Sequence, residues 1–297
     1  MAALCTANHL PWVLKKRKAP HHNMQIYGID FTSSPKPNKP IACAEAWLES
    51  DILQIQRMHY FTNFPEFMEF LQRSPIWIAG MDFPLGQPRK LIENLRWGET
   101  WAEYVSHVGQ MSKQDFVETL NQYRQGRAEG DREHLRQTDR LTGAISPMKV
   151  YGVPVGKMFF EGAPRMFAAG FSIQPCHPTA DPRVVMEVYP AVAARKLIGK
   201  HSYKSDTKQK QTSEMQGYRQ KILDELNHLE FDKILENPLA IDFSVDINQT
   251  LVEQAIGDAS GDTLDAILAT VQAASASRKP DLGIPQSCDR LEGWICI

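Results

Sequence analysis

"MQIYGIDFTSSP", residues 24–35, decides the reading of the fold. A β-branched and aromatic run ends on a carboxylate, Asp30, and Thr32, Ser33, Ser34 and Pro35 follow at once. The run has strand composition, and the hydroxyl and proline cluster has turn composition. Two further strand patterns come quickly. "PIACAEAWL" (40–48) follows the loop "TSSPKPNK", and "ILQIQRMHYF" (52–61) alternates Leu53 and Ile55 with Gln54 and Gln56, as a half-exposed strand does. Connections this short predict antiparallel neighbours. In "NFPEFMEFLQ" (63–72), Asn63 is a helix cap, Pro65 lies in the first turn, and Phe64, Phe67, Phe70 and Leu71 share one face, so a crossover helix is expected. "PIWIAGMDFPLGQP" (75–88) then reads as a strand buried on both faces in a parallel pairing, and it too ends on an aspartate, Asp82.

Residues 89–141 are helical in pattern and heavily charged. Residues 142–182 are rich in Gly and Pro without a long periodic run, and are expected to form a loop-rich insertion. "RVVMEVYP" (183–190) is a further strand with Glu187 near its end. "PAVAARKLIG" (190–199) opens a helix on Pro190 and stops it at Gly199. "SGDTLDAILATVQAASASR" (260–278) is an amphipathic helix with Leu264, Ile267, Leu268 and Val271 on its buried stripe, and "EGWICI" closes the chain as a short apolar strand or docking tail. The expectation is one α/β domain over 24–297, with an insertion at about 89–182. Residues 1–23 are read as an unstructured extension, with a basic nucleic-acid-binding arm on "KKRK" as the alternative.

The 297 residues carry 42% hydrophobic and 23% charged side chains and a formal net charge of −2, so any polyanion must be held by a local patch rather than by the whole surface. One such patch stands out. Residues 195–221 hold eight Lys and Arg against Asp206 and Glu214, whereas 224–265 hold eleven acidic residues against Lys233. Five scattered cysteines without a CxxC pair fit reduced thiols, and with no apolar run of roughly 20 residues the expected location is cytoplasmic, away from membranes.

If the first strand and the strand after the crossover helix lie side by side, Asp30 and Asp82 meet at a topological switch point. Adjacent carboxylates stay ionised together only when a cation or several donors compensate. Asp262 and Asp265, three residues apart at the start of the last helix, share one helical face and can be presented to the same sheet edge. With Glu187 they complete an all-oxygen set that suits Mg²⁺ or Mn²⁺ better than zinc. Each residue also has a plainer role: Asp262 as helix cap, Asp82 as turn former, Thr32 and Ser33 as loop hydrogen-bonders, and Glu187 as holder of the next helix start.

"GIDFTSSP", "IAGMDFPLG", "EVYPA", "GDTLDAILATVQAA" and "EGWI", in this order from Met24 to the C-terminus, resemble an uncharacterised domain family described as predicted RNase H-like nucleases. The resemblance implies an RNase H-like mixed five-stranded sheet with helices on both faces and a large insertion before the last core strand. It also implies a carboxylate site of Asp30, Asp82 and Asp265, with Asp262, as in the resolvase-like branch of that superfamily. The implied chemistry is phosphodiester hydrolysis with two ions about 4 Å apart, Asp30 bridging both.

Nucleic acid is the expected partner. Thr32, Ser33, Lys157, Lys200 and Lys204 are candidate phosphate contacts, with His201, Lys208 and Lys210 beside the last two. "GVPVGKMFFEGAPRM" (152–166) is read as a loop whose Lys157, Arg165, Phe159 and Phe160 grip or stack on substrate, and Arg132, Arg136 and Arg140 as a basic helix edge or an ordinary solvated face. Cys176 and His177 lack further ligands at zinc spacing. Two rivals remain: a non-catalytic binding scaffold, and an actin-like phosphotransferase, which the glycine-free "FTSSPKP" disfavours. Convergence of Asp30, Asp82 and Asp265 to within about 4 to 6 Å discriminates a metal site from a scaffold.

Overall fold

A computed structural model describes residues 23–228 and 238–297. The proposed N-terminal extension and its "KKRK" arm lie outside the described residues, apart from Asn23. Seven strands, β1 (Met24–Asp30), β2 (Ile41–Glu49), β3 (Ile52–Phe61), β4 (Trp77–Asp82), β5 (Ser172–Gln174), β6 (Arg183–Glu187) and β7 (Ser244–Ile247), form one mixed sheet in the order β5-β6-β4-β1-β2-β3-β7. β1 pairs antiparallel with β2, and β2 with β3, as their short connections require. β1, β4, β6 and β5 run parallel, as do β3 and β7.

The inner five strands, β3-β2-β1-β4-β6, are the five expected, and their arrangement is consistent with an RNase H-like core. The expected strand count needs correction, because β5 and β7 extend both edges. Each has only three or four residues, too few to show a period, and each is stabilised by pairing with a longer neighbour.

Helices cover both faces. One face carries α1 (Phe64–Arg73), α2 (Arg89–Leu95), α3 (Trp101–Gly109), α4 (Lys113–Gln125) and α6 (Val155–Ala168), around an aromatic core that includes Trp77, Trp101, Tyr104, Phe116 and Phe159. The other carries α7 (Pro190–Ile198), α8 (Ser213–Asn227), α9 (Gln249–Gly257) and α10 (Asp262–Ser277). Asn63 caps α1 through its side chain, which accepts from the Glu66 amide. α5 (Gln137–Thr142) is a single short element of the insertion.

α6 corrects the loop expected over 152–166. Gly156, Gly162 and Pro164 read locally as breakers, yet burial of Phe159, Ala163 and Met166 against the aromatic core holds the segment helical. Phe159 is therefore a core residue and Phe160 packs on Phe116, so neither is a stacking platform.

α10 is the element that positions the site. It was expected to bury a stripe, but every residue from Asp262 to Ala276 is buried, because sheet, α7 and α9 surround it. Its closeness to the sheet depends on Gly28 and Gly80, which face each other across β1 and β4. A Cβ on Gly28 would fall 2.2 Å from the Ala266 carbonyl oxygen, and one on Gly80 2.9 Å from that of Ala269. In a strand, residues two apart share a face. Asp30 and Asp82, two residues beyond these glycines, therefore point to the side where α10 begins.

Among the described residues no helix is long and apolar enough to cross a membrane. Cys43, Cys176, Cys288 and Cys296 are free thiols. The C-terminal segment docks beside β6, where Ile295 bridges to Glu187 and the Cys296 amide donates to the Glu187 carbonyl at 2.8 Å.

Candidate metal centre

Asp30 and Asp82 are register partners at the carboxyl ends of parallel β1 and β4. Asp265 reaches the same point from the first turn of α10. One carboxylate oxygen from each of Asp30, Asp82 and Asp265 lies within 4.8 Å of the other two, which meets the convergence criterion for a shared site. Asp30 and Asp265 are buried, at 8% and 1% exposure, and Asp82 is half-buried. Opposite ligands of an octahedral Mg²⁺ stand about 4 Å apart, so small side-chain shifts let one ion take all three.

Electrostatics point the same way. Burial, then the nearby Asp262, pushes the Asp30 carboxyl well above its ordinary range, against the pull of Lys204. Burial and the Asp265 charge push Asp82 up to about 8. The Asp82 carboxyl keeps its proton at neutral pH unless a cation replaces it. An all-oxygen, anionic and under-neutralised cluster therefore fits a hard divalent ion.

Asp262 lies one helical turn away and has a different partner. Its Oδ1 accepts from Lys39 Nζ at 2.7 Å, and the same ammonium donates to Asp206 at 2.8 Å. Burial works against the Lys39 charge, yet Asp262 and Asp206 hold it above the usual lysine range. The α10 N-cap is Gly261, so Asp262 occupies the first helical position rather than the cap. Asp265 is enclosed on both oxygens: Tyr203 donates to Oδ1 at 2.5 Å and the Lys204 ammonium to Oδ2.

Glu187 lines the same cleft but is not one of the three converging carboxylates, and it has the structural partner that its plainer reading allows. It is buried at the end of β6, where the Arg136 guanidinium donates to both of its oxygens at 2.7 and 2.5 Å, and the Leu85 amide adds a third bond at 2.9 Å. Arg136 also binds Asp139. The basic helix edge expected from Arg132, Arg136 and Arg140 does not form, because Arg132 precedes α5, Arg136 caps it while 2% exposed, and Arg140 alone faces solvent in the helix.

The carboxylates floor a cleft of about 470 Å³. Thr32, Ser33, Lys39, Lys204 and Asp206 stand on its polar side, and Ile145, Val153, Val155 and Met158 of the insertion wall the other. Thr32 and Ser33 thus line the same cleft as the carboxylates. Lys204 does not face substrate as a free cation, since its ammonium is engaged with Asp265. Lys157 lines a separate groove with Lys113 along α4, and Lys200 is exposed beyond α7, so neither reaches the cleft. His201 stacks on Tyr218.

Lys39 and Tyr203 were missed. Lys39 carried a faint signal, lying in the loop that directly follows Asp30; Tyr203 carried none, because only the fold brings it to Asp265.

No curated protein and no solved structure is significantly similar to the chain. A family model, described as protein of unknown function (DUF429), matches residues 28–287 and so spans β1 to the segment after α10. The chain belongs to that family.

Proposed function

We propose that the protein is a metal-dependent phosphodiester hydrolase acting on nucleic acid, with its centre at Asp30, Asp82 and Asp265. One observation carries the reading: three acidic side chains from three separate elements bring one oxygen each to within 4.8 Å in a buried pocket. Independent turns and caps have no reason to converge.

Bound there, Mg²⁺ or Mn²⁺ supplies the Lewis acidity that polarises a phosphate oxygen and lowers the pKa of water. The chain supplies the rest. Asp30 and Asp82, fixed by sheet register, set the floor. The Thr32 and Ser33 hydroxyls line the same cleft and can donate hydrogen bonds to a phosphodiester there, while Lys39 holds Asp262 and Asp206. Phe31, Phe83, Val188 and Tyr189 line the remaining depth and limit water, which strengthens each charge interaction.

Branched and linear DNA and RNA incubated with Mg²⁺ or Mn²⁺ test the reading. Cleavage should require the ion and fall by about a hundredfold or more in Asp30→Asn and Asp82→Asn, the loss usual for removing one stabiliser of transition-state charge. Equal turnover by Asp30→Asn would remove the site. Ion binding without cleavage of any substrate would favour the binding scaffold.

A further inference from the structure

We propose that Lys204 is a built-in cation of this pocket, standing where a second metal ion would otherwise neutralise Asp265, so that the cluster takes one divalent ion rather than two. The inference rests on the metal-site reading above and adds its stoichiometry.

Two observations carry it. The first is charge. Of the three converging carboxylates, Asp265 is met by the Lys204 ammonium and Asp30 and Asp82 have no cation in contact among the described residues, which leaves two negative charges, the complement of one divalent ion; Asp262 and Asp206 share Lys39 outside that group. Two such ions would leave these three carboxylates and Lys204 at +2, and a phosphodiester returns only one negative charge.

The second is construction. Lys204 is not a loose surface side chain that happens to fall on a carboxylate. Its stem crosses the start of α10 over Gly261, whose φ is +78°; a Cβ on that glycine would lie 2.7 Å from both Cβ and Cδ of Lys204. The strap that carries it is tied down on both sides. The buried Arg219 donates to the Tyr203 carbonyl at 2.8 Å and to that of Ile256, at the end of α9, at 2.9 and 2.8 Å. The Ser205 amide donates to the Ala259 carbonyl at 3.1 Å, and Gln211 donates to the Ser205 carbonyl at 2.8 Å. Tyr203, on the same strap, takes the other Asp265 oxygen, so both oxygens are directed by one short segment. An ammonium held this way supplies a fixed positive charge beside Asp265.

Manganese titration tests the count. The purified chain saturated with Mn²⁺ should bind one ion by calorimetry and by native mass spectrometry, with the electron paramagnetic resonance spectrum of an isolated ion. Lys204→Met should bind two, with the broadened spectrum of a coupled pair. Two ions on the unaltered chain, or one ion on a folded Lys204→Met, would overturn the inference while leaving the metal site in place. No ion on the unaltered chain would overturn the metal site itself, and this inference with it. Should Lys204→Met fail to fold, the spectrum of the unaltered chain still decides between one ion and a coupled pair.

Discussion

Two buried acidic clusters sit at neighbouring strand ends, and they have been finished differently. At the end of β6, Glu187 and Asp139 share Arg136, and the guanidinium fork satisfies both carboxylates in fixed geometry. At the ends of β1 and β4, Asp30 and Asp82 have acidic neighbours and no cation of their own in direct contact among the described residues; the Lys204 ammonium sits on Asp265. Burial and charge are common to both. What separates a structural ion pair from a binding site is whether the chain provides enough countercharge. The first cluster is closed by the protein, and the second is not, which leaves the countercharge that the proposed ion would supply.

The largest expected effect breaks the closed cluster. Arg136→Met leaves Glu187 and Asp139 buried without their cation, which should cost about 3–5 kcal/mol of stability, read from urea unfolding. Equal stability of the variant would mean that the two clusters do not differ as described.

A divalent ion should act on the open cluster alone. At an ion concentration a hundredfold above Kd, binding to the folded state contributes about 2.7 kcal/mol. For a chain of this size that is a rise of about 4 °C in Tm. Asp82→Asn should abolish most of the rise, and Glu187→Gln should not remove it in whatever fraction of that variant folds.

A third effect is one of pH. Asp82 titrates at about 8 in the folded protein and near 3.8 when unfolded. The folded state therefore keeps a proton across the window that the unfolded chain has released. Its contribution is fully present below about pH 4 and is lost as pH rises through 8. In chelator, stability attributable to this group should fall from pH 5 to pH 8, and Asp82→Asn should flatten that slope. Divalent-ion affinity should run the other way, rising over the same window because the ion must displace the proton. A slope unchanged in Asp82→Asn would show that this carboxyl is not the titrating group.

Much of the open cluster was legible in the sequence because its parts are local. Asp30 and Asp82 end apolar strands, and Asp265 opens an apolar helix; topology rules then place the two strands side by side. The glycines two residues before each aspartate belong to the same signal, although their purpose, admitting α10, is visible only in three dimensions. The closed cluster was not legible. Glu187 resembles the other strand-end acids, and nothing near it announces Arg136, fifty-one residues away and set among the charges of a surface helix pattern. The same limit explains α6, whose breakers are overruled by burial from remote aromatics, and β5 and β7, which exist only as extensions of longer neighbours.

The most direct measurement is anomalous scattering from crystals of the chain soaked in Mn²⁺. The account predicts manganese bound by Asp30, Asp82 and Asp265, with no peak beside Glu187 and Asp139. Manganese at the Arg136 cluster, or none among the three aspartates at saturating concentration, would contradict it.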